Sequence, residues 1–440
     1  MIRPFIPHVL AFALPFALAF SLTSCKDNET LSIAPPATET LVSAKAVGYT
    51  YHSENGNRYV KGAGNLTHLT PIDIPLPASA TWIAAVPNSN DSIWTAVLAD
   101  GAVKAFKVNR LGYEEIGIKP NQLSTPTPPT LVVAADDSVI LGNVFIGASS
   151  YSATAILDKT TGERAYVASN GDLVLATANT ETRLAVAALP YARVLVDDNK
   201  RILLLTHPTT VYDHTAVLGS QFQHAAEISL IETRPTLRVA SSIVIAAPDV
   251  IEGNALIWED VNNDGVREII TTLSRRGEGA RVVVYKEDGT VASSSPAIGV
   301  SHRWRHQIAV APIQSTTIMS LASIALPHIG PSLEFFRLDD ASMAQQAQSL
   351  TFTSHFQTST NIDMSIAGDF DGDGKVELLL VDRNTLRQLG AFEYRSTGAT
   401  LDWTLPLTDM ISSNVAAVTL SNNGIAFGVG QGKSLRVWQP

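Results

Sequence analysis

The sequence has few of the features that stabilise small secreted domains or bind nucleic acid. Cys25 is its single cysteine, so the chain cannot form an internal disulfide. Charged residues make up only 16% of the chain, and a formal net charge of −10 argues against a nucleic-acid partner, which requires clustered lysine and arginine. Helical periodicity is scarce, and beyond the N-terminus no apolar run is long enough to cross a bilayer. With 440 residues, the chain can bury one large core or fold as several domains.

The one long apolar stretch lies between Arg3 and Cys25. A positive residue, an apolar run and then small residues are typical of a secretory signal rather than of a folded element. The last four residues, Leu22-Thr23-Ser24-Cys25, resemble the bacterial lipobox, which implies cleavage before Cys25 and lipid attachment to it. The alternatives are an uncleaved signal anchor and a buried lone cysteine.

We therefore predict a signal peptide at 1–24 and a flexible tether at 25–40, a polar segment that contains proline. Lys26 follows the predicted lipidation position, and by resemblance to known sorting rules a residue other than aspartate there favours the outer membrane. The expected location is the bacterial cell envelope, with a lipid anchor at the outer membrane, on its periplasmic side or at the cell surface.

From about residue 41 onward, short apolar runs alternate with polar turns. A strand–turn–strand pattern recurs seven times, and each copy is followed by a third strand with an aromatic residue and usually by a more polar fourth strand. This repeat predicts an all-β, seven-bladed β-propeller of four-stranded blades over 41–440, with six or eight blades, or two unrelated β domains, as alternatives. The chain ends after the third strand of the last unit, so the segment 41–53 is predicted to close the ring. The seven turns lie near residues 89, 136, 198, 262, 313, 371 and 422.

Two of these turns carry acids at the same spacing. Counting from the first aspartate, positions 1, 3, 5 and 9 hold side-chain oxygens, position 6 is glycine, and position 7 can offer its backbone carbonyl. Calcium prefers such oxygen-rich, flexible coordination. The pattern predicts two calcium sites, with a metal-free polar turn or a set of catalytic carboxylates as alternatives. The predicted ligands are Asp260, Asn262, Asp264, Val266 and Glu268 in the first loop, and Asp369, Asp371, Asp373, Lys375 and Glu377 in the second.

An EF-hand is excluded because Thr271 and Leu380 occupy the position that requires an acid, and because β runs flank both loops. The pattern resembles the FG-GAP/VCBS repeat, the calcium-loop blade of integrin α-chain propellers and of many exported bacterial proteins. In that family the loop joins the first and second strands of a blade, and the same placement is expected here. The other five units lack the acids, and near residue 198 Arg201 stands where an acid is required.

A second cluster lies on the opposite side of the predicted ring. The segment 302–306 connects the fourth strand of one blade to the first strand of the next, and the loop 207–224 is expected on the same face. Arginine and tryptophan are enriched at binding hot spots, which makes this the candidate partner face. The alternatives are that these residues fill the channel and pair locally, or that they form a catalytic set. The candidate residues are His302, Arg303, Trp304, Arg305, His306, Tyr212, Asp213 and His214.

No catalytic or nucleotide-binding motif accompanies this pattern. The segment "GVGQGKS" lacks the first glycine of a P-loop, because Phe427 occupies that position. We therefore predict a monomeric, lipid-anchored, calcium-binding propeller that acts as an adhesion or binding scaffold for a protein or a glycan. This function follows from the resemblance and not from a recognised site. A polysaccharide lyase or hydrolase on the same fold and an envelope assembly factor are the alternatives.

Overall fold

The computed structural model describes residues 42–142, 145–315, 318–338, 343, 345–396 and 398–440. The predicted signal peptide at 1–24, the tether at 25–40 and Cys25 all lie outside these residues. Within the described part, the one helix is a short 3₁₀ turn at Leu66–His68. No helix among these residues is long and apolar enough to span a membrane.

The described strands form antiparallel units that follow one another along the chain. Two strands precede them, Ala44–Tyr49 (β1) and Ile72–Pro75 (β2). Unit 1 contains Ala80–Asn88 (β3), Asp91–Leu98 (β4), Val103–Asn109 (β5) and Gly112–Ile116 (β6). Unit 2 contains Thr130–Ala134 (β7) and Val139–Leu141 (β8). Unit 3 contains Ala155–Asp158 (β9), Glu163–Val167 (β10), Asp172–Ala176 (β11) and Glu181–Ala185 (β12). Unit 4 contains Leu195–Val196 (β13), Ile202–Thr209 (β14), His224–Glu232 (β15) and Arg238–Val244 (β16).

The second half of the chain repeats this arrangement. After a short bridging strand, Val250–Ile251 (β17), unit 5 contains Ile257–Glu259 (β18), Glu268–Arg275 (β19), Gly279–Tyr285 (β20) and Val291–Ser294 (β21). Unit 6 contains Arg305–Ala311 (β22), Ser320–Ala325 (β23), Ser332–Arg337 (β24) and Gln345–Ser349 (β25). Phe352–Thr353 (β26) leads into unit 7, which contains Ile366–Gly368 (β27), Glu377–Asp382 (β28), Gln388–Arg395 (β29) and Gly398–Pro406 (β30). Unit 8 contains Ile411–Thr419 (β31), Ile425–Gln431 (β32) and Ser434–Trp438 (β33).

These units form a closed ring, so the fold is a β-propeller. β31 of unit 8 packs beside β3 of unit 1, and β17 pairs with both β15 and β19, which joins units 4 and 5 in one sheet. An N-terminal strand closes the ring, as predicted, but the closing strand is β2, which pairs with β33. The predicted segment 41–53 does not do this, because β1 pairs with β7 of unit 2 instead.

The seven turns found in the sequence all join the first and second strands of a unit. The pairing nevertheless gives eight units in the described residues, because unit 3 forms a separate four-stranded sheet. Unit 2 has only β7 and β8 among the described residues, and the sequence pattern counted the strands of unit 3 as its continuation. The sequence predicted seven blades with six or eight as alternatives, and the pairing corresponds to eight.

Burial shows how each unit is oriented within the ring. The first strands β7 and β22 are buried along their whole length, whereas the fourth strands β6, β12 and β16 expose most of their side chains. A strand buried on both faces lies inside the ring, and a strand with exposed polar residues lies at its rim. In each antiparallel unit, the first hairpin therefore lies on one face, and the N-terminal end of the first strand opens on the other. We call these the hairpin face and the loop face.

The N-terminal strap, residues 44–66, crosses the ring along its inner strands. It pairs with β7 and then hydrogen-bonds in turn to the first strands or first hairpins of units 3 to 8. Gly48 permits a close approach to unit 1, since a Cβ there would lie 2.1 Å from the carbonyl oxygen of Ala85. The strap therefore contacts all eight units and links them before β2 completes the ring. Its contacts include Ile156 N to Tyr49 Oη at 2.9 Å, Val196 N to Glu54 O at 3.0 Å, Trp258 N to Asn55 O at 2.9 Å, Val310 N to Asn57 Oδ1 at 3.0 Å, Val60 N to Ala367 O at 2.9 Å and Ala63 N to Asn423 O at 2.8 Å.

Candidate functional site

The hairpin between β27 and β28 brings four of the predicted ligands together. Asp369, Asp371, Asp373 and Glu377 each offer a carboxylate oxygen, and these oxygens all lie within 4.8 Å of one another. The turn is held by Asp369, whose oxygens accept the backbone N–H groups of Gly372 at 2.7 Å and of Gly374 at 3.1 Å. Both glycines have positive φ, 85° and 86°, a conformation that side chains other than glycine disfavour.

The electrostatics of this loop fit a bound cation. Burial, together with the charges of Asp371 and Asp369, raises the pKa of Glu377 to about 9, although its carboxylate accepts the Phe370 N–H at 2.6 Å. Burial also raises the pKa of Asp369. A divalent cation would offset this repulsion, and the carboxylates are the oxygen donors that calcium binds. Lys375 lies at the edge of the set, where its ammonium contacts Asp373 at 2.8 Å and its backbone carbonyl remains a possible ligand.

The earlier loop has the same backbone but a different arrangement of side chains. Asp260 accepts the Gly265 N–H at 2.9 Å, and Glu268 accepts the Val261 N–H at 3.1 Å, as in the second loop. Asn262, however, donates its amide to both Asp264 and Glu268 at 3.1 Å. The amide therefore lies between the acids that would bind the ion. Among the described residues, only the second loop gathers its acids into a compact set. Val266, whose carbonyl is the predicted backbone ligand, has an exposed side chain.

Both loops also contact the N-terminal strap. Gly64 N donates to Asp369 O at 2.7 Å, and Leu66 N donates to Phe370 O at 2.9 Å. At the first loop, Asn55 and Asn57 of the strap donate to the carboxylate of Glu259, the residue before Asp260. The two loops are thus attached to the segment that links the units. The first turn of unit 4 has an arginine where the two loops have an acid. Arg201 pairs with Asp197 and with Glu287, both at 2.7 Å.

The predicted partner segment 302–306 is mostly interior, which corrects its assignment as a surface. Trp304, Arg305 and His306 are only 2%, 2% and 0% exposed. Arg305 pairs with Glu334 at 2.6 Å, and Trp304 donates its indole N–H to the carbonyl of Glu252 at 3.2 Å. Arg305 and His306 begin the inner strand β22 and Trp304 directly precedes it, so all three stabilise the interior. The pattern could not show this, because the buried acid that pairs with Arg305 comes from β24.

The remaining predicted residues do come together on the loop face. His302 bonds Asp213 through its Nε2 at 2.8 Å, and its backbone N–H donates to the Tyr212 hydroxyl at 2.7 Å. The hydrogen bond from His302 lowers the pKa of Asp213. His214 is buried and contacts Glu252 at 2.6 Å. Arg303 is half-buried and makes no ion pair with any other described residue.

The sequence did not reveal the histidines that complete this face. His328 Nε2 and His355 Nδ1 lie 2.8 Å apart, and both rings lie beside Trp304. Burial lowers the pKa of His328 to about 4 and that of His355 to about 3, so both are neutral at pH 7. Neither histidine belongs to a sequence motif. They lie close to the segment 302–306 only because the units of the propeller pack side by side. Together these elements enclose a cleft of 210 Å³, whose walls include His214, His302, Arg303, Trp304, His328 and Gln357.

A buried ion network on the ring axis was also missed. Arg58 of the strap pairs with Asp363 at 3.0 Å, and both residues are at most 2% exposed. Its guanidinium also donates to the carbonyls of Ile308 and Ile362 and to His306 Nε2. His306 is therefore the neutral tautomer that donates from Nδ1 to Ser354. The residues that form this network are hundreds of positions apart in sequence, so no local pattern could predict it.

Comparison with known proteins adds no family assignment. No family model matches the chain, and no curated protein is a significant match. Among solved structures, the chain is similar to a chain of "Crystal Structure of Mitotic Checkpoint Complex", with a TM-score of 0.40, 13% sequence identity, and coverage of 96% of this chain and 99% of that one. The fold class stated above depends on the strand pairing, and the FG-GAP/VCBS assignment remains a resemblance of the two loops.

Proposed function

We propose that this protein is an exported, lipid-anchored β-propeller that calcium stabilises and that binds a protein or a glycan on its loop face. The observation that carries the proposal is the cleft on that face, whose walls are mainly apolar with a few polar groups. Its walls combine Arg303, which has no ion-pair partner among the described residues, the His302–Asp213 pair and the apolar side chains of Leu326 and Ile329. A concave surface that combines apolar walls with a few oriented polar groups is typical of ligand sites.

Calcium has a structural role in this proposal. The carboxylates around Asp369 lie on the hairpin face, away from the cleft, and their loop is hydrogen-bonded to the strap. The ion would therefore stabilise ring closure without touching the ligand. The site at 369–377 is expected to bind more tightly than the one at 260–268, because the Asn262 amide must rotate away before an ion can enter the first loop.

The binding test uses residues whose loss leaves the interior intact. Arg303→Ala and His302→Ala are expected to weaken binding of an array-identified glycan or an isolated envelope partner at least about tenfold, with an unchanged melting temperature. Lys104→Ala is the matched control, because this partly exposed lysine lies on β5 of unit 1, and among the described residues its ammonium pairs with Glu115 alone. If all three variants bind with the same affinity as the wild type, the cleft is not the binding site.

The His302–Asp213 pair also favours a second candidate, a polysaccharide lyase or hydrolase. A histidine oriented by a carboxylate at the mouth of a cleft can act as a general base or acid, and the Tyr212 hydroxyl lies beside it. This candidate predicts that polysaccharide substrates are cleaved and that His302→Ala abolishes turnover without preventing binding. Binding without any cleavage by the wild type supports the scaffold instead.

A further inference from the structure

The ring axis carries a polar well that neither the calcium loops nor the cleft uses. Two adjoining cavities, of 250 and 20 Å³, share Trp82, Pro128, Tyr151 and Thr360 in their walls. The outer cavity is large enough for a small organic molecule. The inner one has room for about one water-sized group, which makes it a subsite at the bottom of the well.

The strand order places this well on the axis of the loop face. Its walls come from the N-terminal ends of the first strands of different units, and those ends all open on the face opposite the hairpins. The strap forms the floor, where Thr50 donates to Asp363 at 3.2 Å and the Tyr51 ring lies 4.8 Å from the Arg193 guanidinium. The wall residues include Trp82 of unit 1, Ala153 of unit 3, Arg193 of unit 4, Asn254 of unit 5 and Asp363 of unit 7.

The bottom of the well contains polar atoms without partners. Arg193 is 7% exposed, and its Nη2 binds both oxygens of Asp363, at 2.7 and 2.6 Å. Its Nη1, the Tyr51 hydroxyl and the Asn254 Oδ1 have no hydrogen-bond partner among the described residues. Buried polar groups are normally paired, so three unpaired groups around one cavity indicate a site that is completed by a bound molecule.

The charge of this site defines the ligand. Among the described residues that line the well, Asp363 is the one carboxylate, and it contacts the two guanidinium groups of Arg193 and Arg58. Asp363 is therefore shared between two guanidinium groups, and Arg193 Nη1 is the donor that it leaves without a partner among the described residues. Arginine pairs preferentially with planar anions such as carboxylates, and a buried charge requires such a partner.

We propose that the axial well binds a carboxylate group, one oxygen of which fills the inner cavity and accepts hydrogen bonds from Arg193 Nη1 and the Tyr51 hydroxyl. The rest of the molecule lies in the outer cavity, whose apolar walls include Trp82, Tyr151 and Phe356. Both an acidic sugar and a peptide C-terminus carry this chemistry. The proposal deepens the proposed function and rests on it in one respect, namely that the loop face is the binding face.

The experiment compares acidic probes with neutral twins by calorimetry on the purified full chain. The probes are glucuronate against glucose, and trialanine with a free against an amidated C-terminus. At least one acid is expected to bind at least about tenfold more tightly than its twin, since hydrogen bonds to charged groups are the strong ones. Binding of glucuronate alone identifies an acidic sugar, and binding of the peptide acid alone identifies a chain end. If neither acid binds at millimolar concentration, or if acid and twin bind equally, the proposal is wrong.

A pair of matched variants tests the assigned atoms. Tyr51→Phe removes only the unpaired hydroxyl and is expected to weaken the acid about tenfold with an unchanged melting temperature. Tyr59→Phe is the control, because Tyr59 lies on the same strap but lines a cavity on the hairpin side. Equal effects of the two variants would overturn the assignment. Arg193→Gln is expected to abolish the preference for the acid, with folding checked by its melting curve.

The two proposals can fail separately. If the small acids bind but the cleft variants leave partner binding unchanged, the carboxylate site in the well is supported and the partner site in the cleft is refuted. If the cleft variants weaken the partner while no acid binds to the wild type, the proposed binding face stands and the carboxylate site does not.

Discussion

Replacing Arg58 with methionine is expected to destabilise the ring more than any other single change in the strap. The guanidinium is buried and contacts Asp363, the carbonyls of Ile308 and Ile362, and His306. Methionine retains much of the side-chain volume but none of these donors. Removing one partner of a buried ion pair typically costs about 3–5 kcal/mol, because the other charge stays buried. Arg193 still pairs with Asp363, so the cost comes mainly from the buried carbonyls of Ile308 and Ile362, which lose their donor, and we expect the lower end of that range, about 3 kcal/mol.

The assay is denaturant unfolding followed by tryptophan fluorescence, with limited proteolysis to test whether the strap has been released. Arg303→Met is the matched control, since among the described residues the half-buried Arg303 side chain donates only to the carbonyl of the preceding residue. It is expected to change stability by less than about 0.5 kcal/mol. If Arg58→Met is within about 1 kcal/mol of the wild type, the claim that the strap links the units through this network is refuted.

Two further predictions concern the interior of the loop face. Trp304→Ala is expected to lower the free energy of unfolding by about 3–5 kcal/mol, because it empties a fully buried position, and an unchanged denaturation midpoint would contradict its interior placement. Stability is also expected to fall as the pH falls from 6.5 towards 4. The folded-state pKa values of His328 and His355, about 4 and about 3, lie below the unfolded value, so the unfolded chain binds more protons in that window. The slope should reach at most about 1.4 kcal/mol per pH unit for each histidine, and it should flatten in the His328→Gln, His355→Gln variant, measured by urea unfolding at several pH values. An identical slope in that variant would assign the acid sensitivity to other groups.

Features that repeat within short stretches of sequence, such as the first hairpin of a unit, could be predicted. Each of the seven turns forms the first hairpin of a unit, because alternating apolar strands around a polar turn depend only on neighbouring residues. Unit 3 was missed because unit 2 has only two strands of its own among the described residues, so the strands of unit 3 were counted as its continuation. Ring closure was predicted for an N-terminal strand, but no local pattern distinguishes residues 72–75, which pair with β33, from residues 44–49, which pair with β7.

Features of the site that depend on the ring could not be predicted. The acidic spacing located both loops, but it could not show that the Asn262 amide separates the acids of the first loop. His302 and Asp213 were placed on one face correctly, whereas Trp304 and Arg305 were placed on the surface because their buried partners, Glu252 and Glu334, lie in other strands. Those partners become neighbours only after the units have packed.

Calorimetric titration with calcium, with parallel melting curves, shows whether the loop at 369–377 binds the ion. The wild type is expected to bind calcium with a Kd of about 10⁻⁴–10⁻³ M, typical of extracellular sites. At calcium concentrations from Kd to about ten times Kd, chelation is expected to lower stability by about 0.4–1.5 kcal/mol for each occupied site. Asp369→Ala should remove the tighter binding event, and Asp369→Ala combined with Asp260→Ala should make the melting temperature independent of chelator. A wild type that releases no heat with calcium and melts at the same temperature with and without chelator would contradict the account.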